Sequence, residues 1–315
     1  MIVSSLIALA LGSQQVPPPS AQATDPTRLE DVIVDARRLE EAAEAYVDLV
    51  AAPARRRGLA RWHDGICVGV ANLEPALARQ IADQVSDVAR SLGLRAHEPE
   101  CHPSVLIIAT TDAARFAQDF VAIRPVLFRV GSPGMDRGSS SLRDFTTEDR
   151  PVRWWHVSMP TNSETGMSAI RMPGEVNGDG AELMDYAPIT DVASPSRLST
   201  QYVDVLKRVF IIIDVDRLNG ATAEQLGAYV AMVALAQVDP EADTGQFDTI
   251  LNLFEDPALA PPALSGWDRA YLEGLYSVGS ESRRINQRSQ VQAVASAIAG
   301  AYRGSTVDEE GAAEH

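Results

Sequence analysis

The apolar residues of the chain concentrate in one central stretch, residues 205–236. An apolar strand, Val209 to Val215, leads through a turn into a helix that Thr222 and Gln225 begin with the pattern of a capping box. From Leu226 to Ala236 every residue is apolar apart from one tyrosine hydroxyl. A helix that is apolar on all sides is a buried helix, so the pattern predicts that this helix forms the centre of the largest core.

A strand–helix–strand pattern lies in the first half of the chain. Apolar strands at Gly65–Ala71 and Val105–Thr110 flank a helix, Ala76–Leu92, in which apolar residues recur at helical spacing. Such a unit is expected to place two parallel strands side by side with a right-handed crossover. Further helices are predicted at residues 38–51 and 112–123. These elements together predict an α+β fold.

The middle of the chain is less regular. Residues 131–150 are polar and rich in glycine and serine, which predicts a surface loop or a link between domains. A strand at Val152–Met159 follows, and residues 160–200 carry turn signals only, which suggests a functional loop or a cover over a groove. Beyond the central helix, the patterns predict further helices at residues 246–254, 265–276 and 283–302.

The patterns divide the chain into five predicted segments. They are a signal peptide at 1–23, an N-terminal βαβ subdomain at 24–130, the loop or link at 131–150, a second α+β domain at 151–280, and a C-terminal helix with a disordered acidic tail at 281–315. Within the N-terminal subdomain, a lead-in at residues 24–35 is expected to end in a short strand, Asp31 to Val34.

The first 23 residues have the features of a secretory signal. An apolar stretch at residues 2–11 is too short to cross a bilayer, and Ala21-Gln22-Ala23 matches an A-x-A cleavage site. No positive charge precedes the stretch, which a misassigned start codon or a disordered tail would explain. Export is the interpretation that we retain. It predicts a periplasmic or secreted protein with no transmembrane segment after the signal is cleaved.

The two cysteines fit an exported protein. Cys67 lies in the first strand of the strand–helix–strand unit, and Cys101 lies just before the second. If the two strands are parallel neighbours, the sulfur atoms come within bridging range, and an oxidising compartment would join them. The alternative is a pair of ordinary buried thiols. Without histidines at metal spacing, the two cysteines do not predict a zinc site.

The charge of the chain excludes some classes of partner. With 27 basic and 43 acidic residues, the formal net charge is −16, whereas nucleic acids and anionic membranes require a positive surface. The strand–helix–strand unit has no G-x-G-x-x-G turn, so dinucleotide binding is not predicted. No metal, cofactor or catalytic group is predicted from motifs.

A possible ligand groove is indicated at Trp154, Trp155 and His156, which are consecutive on one predicted strand. Two tryptophans beside a histidine could line a binding site. The alternative is a strand packed on both faces, with the histidine bonded locally. A rival functional hypothesis uses the same histidine as the centre of a hydrolase, with a nearby acid such as Glu164 or Asp179.

Residues 224–276 resemble the active-site half of a metzincin-type zinc peptidase whose metal site has been lost. These enzymes carry H-E-x-G-H on a buried helix, a third histidine further on, a Ser-Ile-Met-like turn and a closing helix. Leu226-Gly227 matches the hydrophobic–glycine pair, Thr249 to Asn252 resembles the turn, and Leu264 to Tyr276 matches the closing helix. The metal positions do not match. The three histidines correspond to Glu224, Ala228 and Ala234, and the general base corresponds to Gln225.

This resemblance implies a non-catalytic, zincin-like domain. Zinc needs about three protein ligands and a water molecule, and a glutamine cannot accept the proton of that water. The first half, with its W-x-x-x-I-C strand, also resembles a family of exported alphaproteobacterial proteins from which no activity can be transferred. The sequence therefore predicts an envelope protein that binds a peptide or protein partner in a groove beside an edge strand. A purely structural envelope protein is the remaining alternative.

Overall fold

The computed structural model describes residues 29–54, 57–63, 65–129, 136–162, 202–281 and 287–313; near some helix ends only the backbone is described. The helices are α1 (Leu29–Val50), α2 (Pro75–Ser91), α3 (Ala113–Ile123), α4 (Pro125–Phe128), α5 (Ser139–Thr147), α6 (Ala223–Leu235), α7 (Gly266–Glu281) and α8 (Gln287–Ala313). The strands are β1 (Val68–Ala71), β2 (Val105–Thr110), β3 (Val152–Asn162) and β4 (Tyr202–Asp214). Short 3-10 helices occur at Val215–Arg217 and Ile250–Phe254. The α+β class predicted from the sequence is confirmed.

The four described strands form one mixed sheet in the order β1-β2-β4-β3. β1, β2 and β4 are parallel, and β3 runs antiparallel to β4 at one edge. A strand from the second predicted domain therefore pairs directly with a strand from the first. The predicted boundary between the two domains crosses a continuous sheet.

The sheet has a separate hydrophobic core on each face. The larger core contains α6 together with residues from α1, α2, α7 and α8, and it includes Ile107, Trp154 and Ile211 of the sheet. The smaller core lies beneath α3, α4 and α5 and includes Trp155 and Phe210. Successive strand residues point to opposite faces, so neighbouring residues such as Trp154 and Trp155 contribute to different cores.

The central helix α6 has the predicted position and burial. Thr222 and Gln225 form the complete capping box, and every residue from Gln225 to Leu235 is buried. The helix packs against α2 on one side and the 3-10 turn at Ile250–Phe254 on another. The prediction succeeds because a helix without a polar face has no stable position at a surface.

The first strand–helix–strand unit also forms as predicted, with parallel strands and a disulfide. Cys67 and Cys101 are bonded, with their Cα atoms 6.0 Å apart. Helix α2 is capped by Glu74, whose side chain accepts from the backbone N–H groups of Ala76 and Leu77. Asn72 has a φ of 61° and forms the preceding turn.

Three predictions of irregular or extended backbone are wrong. Residues 139–147, within the predicted loop at 131–150, form α5, whose Phe145 is buried in the smaller core. The predicted strand at Asp31–Val34 belongs to α1. The predicted disordered tail continues α8 to Ala313, since its alanines and glutamates favour a helix. Residues 1–28, which include the predicted signal peptide, lie outside the described residues.

The buried carboxylate of Asp268 on α7 connects this helix to α1 and to the turn at Thr249. It accepts hydrogen bonds from the Tyr46 hydroxyl on α1 at 3.1 Å and from the Thr249 hydroxyl at 2.5 Å. The backbone N–H groups of Ile250 and Ser265 also donate to it, at 2.9 and 2.8 Å. Asp268 is completely buried. Burial and the neighbouring charge of Asp268 raise the pKa of Tyr46, so its phenol stays protonated and donates.

Candidate functional site

Strand β3 forms an edge of the sheet, with β4 on one side and no strand on the other among the described residues. The backbone N–H of Asp214 donates to the carbonyl of Pro151 at 2.8 Å. In an antiparallel pair of strands, the backbone groups of successive residues point alternately toward and away from the partner strand. Because Pro151 bonds to β4, the backbone groups of Arg153 and Trp155 also point toward β4. The backbone groups of Trp154 and His156 consequently face the free edge.

A cleft lies beside this edge. Its walls are the β3 residues Arg153 to His156, the α5 residues Ser141, Asp144 and Phe145, residues 238–241, and the side chains of Arg137 and Arg150. The space between these walls is about 500 Å³, which includes open solvent at the mouth. Residues from both faces of β3 contribute, so the cleft follows the edge of the strand.

The three residues predicted to line a groove are brought to this cleft, and they are also packed into the protein. The indole N–H of Trp154 donates to the carbonyl of Val238 at 3.0 Å. The indole N–H of Trp155 donates to the carbonyl of Phe128 at 2.8 Å on the opposite face. Both features anticipated from the sequence, a groove wall and a strand packed on both faces, describe the same residues.

The side chain of His156 donates a hydrogen bond to a carbonyl group at the C-terminus of α6. The last four carbonyl groups of a helix lack partners within the helix. In α6 the carbonyl of Val233 faces His156 Nε2 at 2.7 Å, and those of Ala234 and Leu235 accept from Trp62 Nε1 and the Tyr276 hydroxyl. Because a carbonyl can only accept, the Nε2 atom of His156 carries the proton in this contact.

The environment of His156 keeps its ring neutral. Burial lowers the pKa of His156 to about 4, and the carbonyl of Val233 opposes this effect only in part. A general base that acts near neutral pH usually has a pKa closer to 7. The acids named with it in the hydrolase hypothesis, Glu164 and Asp179, lie outside the described residues.

His156 should make the stability of the protein depend on pH. An unfolded histidine titrates near pH 6.5, whereas His156 titrates near 4 in the folded protein. Between these values the unfolded chain binds more protons, so stability falls as the pH is lowered from 6.5 to 4. We expect a loss of up to about 3 kcal/mol attributable to this residue. Urea denaturation at a series of pH values measures it.

Two variants isolate the contribution of His156. His156→Gln retains a donor for the carbonyl of Val233 but cannot titrate, and it should make the pH dependence flatter than in the wild type. His97→Gln removes an exposed histidine and should leave the pH dependence unchanged. Parallel curves for the wild type and His156→Gln would contradict the assignment.

The three positions that correspond to zinc ligands in the resemblance hold one exposed and two buried side chains. Glu224 is exposed at the first turn of α6, whereas Ala228 and Ala234 are buried in the larger core. Among the described residues, no three His, Cys, Asp or Glu side chains are placed to hold a metal ion. The turn at Thr249–Asn252 and the helix that contains Asp268 are connected by the hydrogen bonds of that carboxylate.

Gln225 stabilises the start of α6. Its amide Nε2 donates to the carbonyl of Pro257 at 2.9 Å, with the carbonyls of Ala260 and Pro261 at 3.3 and 3.4 Å. Its Oε1 accepts from the backbone N–H of Thr222 at 3.0 Å. The side chain therefore requires both a donor and an acceptor, which an amide supplies and a carboxylate does not.

Replacement of Gln225 by glutamate should destabilise the protein without creating an enzyme. The carboxylate would face the carbonyl oxygen atoms that the amide now serves, and we expect a loss of at least about 2 kcal/mol at pH 7. Thermal and urea denaturation measure the loss. Glu224→Gln, at the exposed neighbouring position, is the control and should change the stability by less than about 0.5 kcal/mol. Equal stability of Gln225→Glu and the wild type would contradict this role.

Among the described residues, the protein is an α+β fold with a cleft beside the edge strand β3. Comparison of the chain with protein-family models, curated proteins and solved structures finds no match. In the part of the chain that the structure describes, no helix is both long and apolar enough to cross a membrane.

Proposed function

We propose that this chain is an exported, non-catalytic protein that binds an extended peptide segment of a partner along the free edge of β3. The observation that carries the proposal is the position of the cleft beside an unpaired strand edge. An extended peptide can add to such an edge through main-chain hydrogen bonds, and pockets beside the edge then select its side chains.

The geometry of β3 supports this mode of binding. The backbone groups of Trp154 and His156 face away from β4, and no described strand pairs with them on that side. Their side chains are fixed by hydrogen bonds to Val238 and Val233, so the edge is held rigid before a peptide arrives. A rigid site loses less conformational entropy on binding.

The disulfide supports a compartment outside the cytoplasm, because a bond such as Cys67–Cys101 persists in oxidising compartments. The loss of zinc ligands in the resemblance at Glu224, Ala228 and Ala234 supports binding without catalysis, and stoichiometric zinc in the purified protein would contradict it.

Selection from a phage-displayed library of random peptides, about 12 residues long, tests the proposal. Ser141→Trp places an indole in the cleft from the α5 side without altering β3. We expect enriched peptides to bind the wild type and to bind Ser141→Trp at least about tenfold more weakly, which fluorescence anisotropy measures. Amide hydrogen exchange should show protection of Trp154 and His156 when such a peptide is bound.

Ser140→Trp is the matched control. Ser140 is the adjacent residue of α5 but is exposed and does not line the cleft, so this variant should bind like the wild type. Equal binding by all three proteins would place the peptide elsewhere and contradict the proposal. A library that yields no binding peptide would favour a purely structural envelope protein.

A further inference from the structure

The cleft beside β3 has more positive than negative side chains, in contrast to the chain as a whole. Arg137, Arg150 and Arg153 line it, against Asp144 and Glu241. The complete chain has 43 acidic and 27 basic residues. An arginine of this cleft can bind an anion only with N–H groups that its own partners leave free.

Two of the three arginines have carboxylate partners. Arg137 Nη2 lies 3.0 Å from a carboxylate oxygen of Asp239. Arg150 pairs with Glu241 and donates to the carbonyl of Pro240 at 2.6 Å. These pairs fix the two arginines in the cleft wall and neutralise most of their charge.

Arg153 has no carboxylate partner among the described residues. It donates from Nη1 to the carbonyl of Phe145 at 2.7 Å and from Nη2 to the carbonyl of Glu148 at 2.8 Å, at the end of α5. Its Nε–H has no hydrogen-bond partner, although the residue is only 3 % exposed. Burial and the charge of Arg150 lower the pKa of Arg153, and the nearby carboxylates of Asp214, Asp112 and Glu148 oppose this effect. A buried N–H group without a hydrogen-bond partner is costly.

We propose that the cleft binds its peptide by a carboxylate, which accepts a hydrogen bond from the unpartnered Nε–H of Arg153. This inference rests on the proposed function and specifies the chemistry of the ligand. A guanidinium offers several N–H donors in one plane, which match the two oxygen atoms of a carboxylate. The carboxylate belongs either to a glutamate or aspartate side chain or to a peptide C-terminus.

Four fluorescein-labelled peptides distinguish these sources. They share a host of alternating threonine and valine residues with one central guest. Three are amidated and carry glutamate, glutamine or lysine as the guest, and the fourth carries glutamine and has a free C-terminal carboxylate. We expect the glutamate peptide or the free-carboxylate peptide to bind at least about tenfold more tightly than the amidated glutamine peptide, with lysine the weakest.

Two pairs of variants connect the preference to Arg153. Arg153→Met should remove the preference, whereas Arg208→Met, at a half-buried arginine on β4 outside the cleft, should retain it. If Arg153→Met fails to fold, Ser141→Asp provides the test of the carboxylate preference, because it supplies a carboxylate to the cleft from within the chain. Ser141→Asp should raise the melting temperature and abolish the preference, and Ser140→Asp should do neither.

The outcomes separate this inference from the proposed function. Equal binding of the glutamate, free-carboxylate and amidated glutamine peptides would overturn the carboxylate assignment and leave peptide binding intact. A preference that survives in both Arg153→Met and Ser141→Asp would also overturn it. If no host peptide binds and the random library is also empty, both the carboxylate site and the peptide-binding function fail.

Discussion

Replacement of Asp268 by alanine is expected to lower the free energy of unfolding by about 4 kcal/mol or more. The change removes the acceptor for the Tyr46 and Thr249 hydroxyls and for the backbone N–H groups of Ile250 and Ser265. Each buried donor without a partner costs about 1–3 kcal/mol. Chemical denaturation with urea, followed by circular dichroism, measures the loss.

Two further variants test the cause of this loss. Asp268→Asn keeps the volume but presents an NH2 group to at least one donor, so we expect an intermediate loss of about 2 kcal/mol. Asp83→Ala removes an exposed aspartate from α2 and should change the stability by less than about 0.5 kcal/mol. A loss below about 1 kcal/mol for Asp268→Ala would show that the hydrogen bonds of Asp268 are not important for stability.

Removal of the disulfide is expected to have the next largest effect. Cys67 and Cys101 are 34 residues apart in sequence, and closing a loop of this length in the unfolded chain stabilises the folded state by about 3–4 kcal/mol. The double variant Cys67→Ala/Cys101→Ala should lose that amount, measured by urea denaturation at neutral pH.

Reduction of the wild type provides the control for this effect. Added dithiothreitol should destabilise the wild type by about as much as the double substitution, and it should leave the double variant unchanged. If the reduced and oxidised wild type unfold at the same urea concentration, the bond does not stabilise the fold.

Secondary-structure elements could be predicted from the sequence where the residues of the element itself carried the pattern. The helix α6 was predicted because its residues are apolar on every side, and the residues from Gln225 to Leu235 are buried. The Cys67–Cys101 bond followed from the strand–helix–strand order. By contrast, α5 was missed because its serines and the preceding Gly138 resemble a loop, although Leu142 and Phe145 have the spacing of a helix face.

The cleft could be predicted only in part. Its tryptophan and histidine wall is continuous in sequence, but the opposite walls come from α5 and residues 238–241. Arg153 looks like an ordinary polar residue within a strand, and only the structure shows that it is buried with an N–H group that has no hydrogen-bond partner. The role of Gln225 was likewise hidden, because the carbonyls that it binds lie 32 to 36 residues further along the chain.

The hydrogen bond between Tyr46 and Asp268 spans 222 residues. The first described helix is thus held by a group that is synthesised 222 residues later, and β4 must insert between β2 and β3 before the sheet is complete. Contacts so distant in sequence slow folding. Helix α1 therefore cannot make its contact with the carboxylate of Asp268 until that residue has been synthesised.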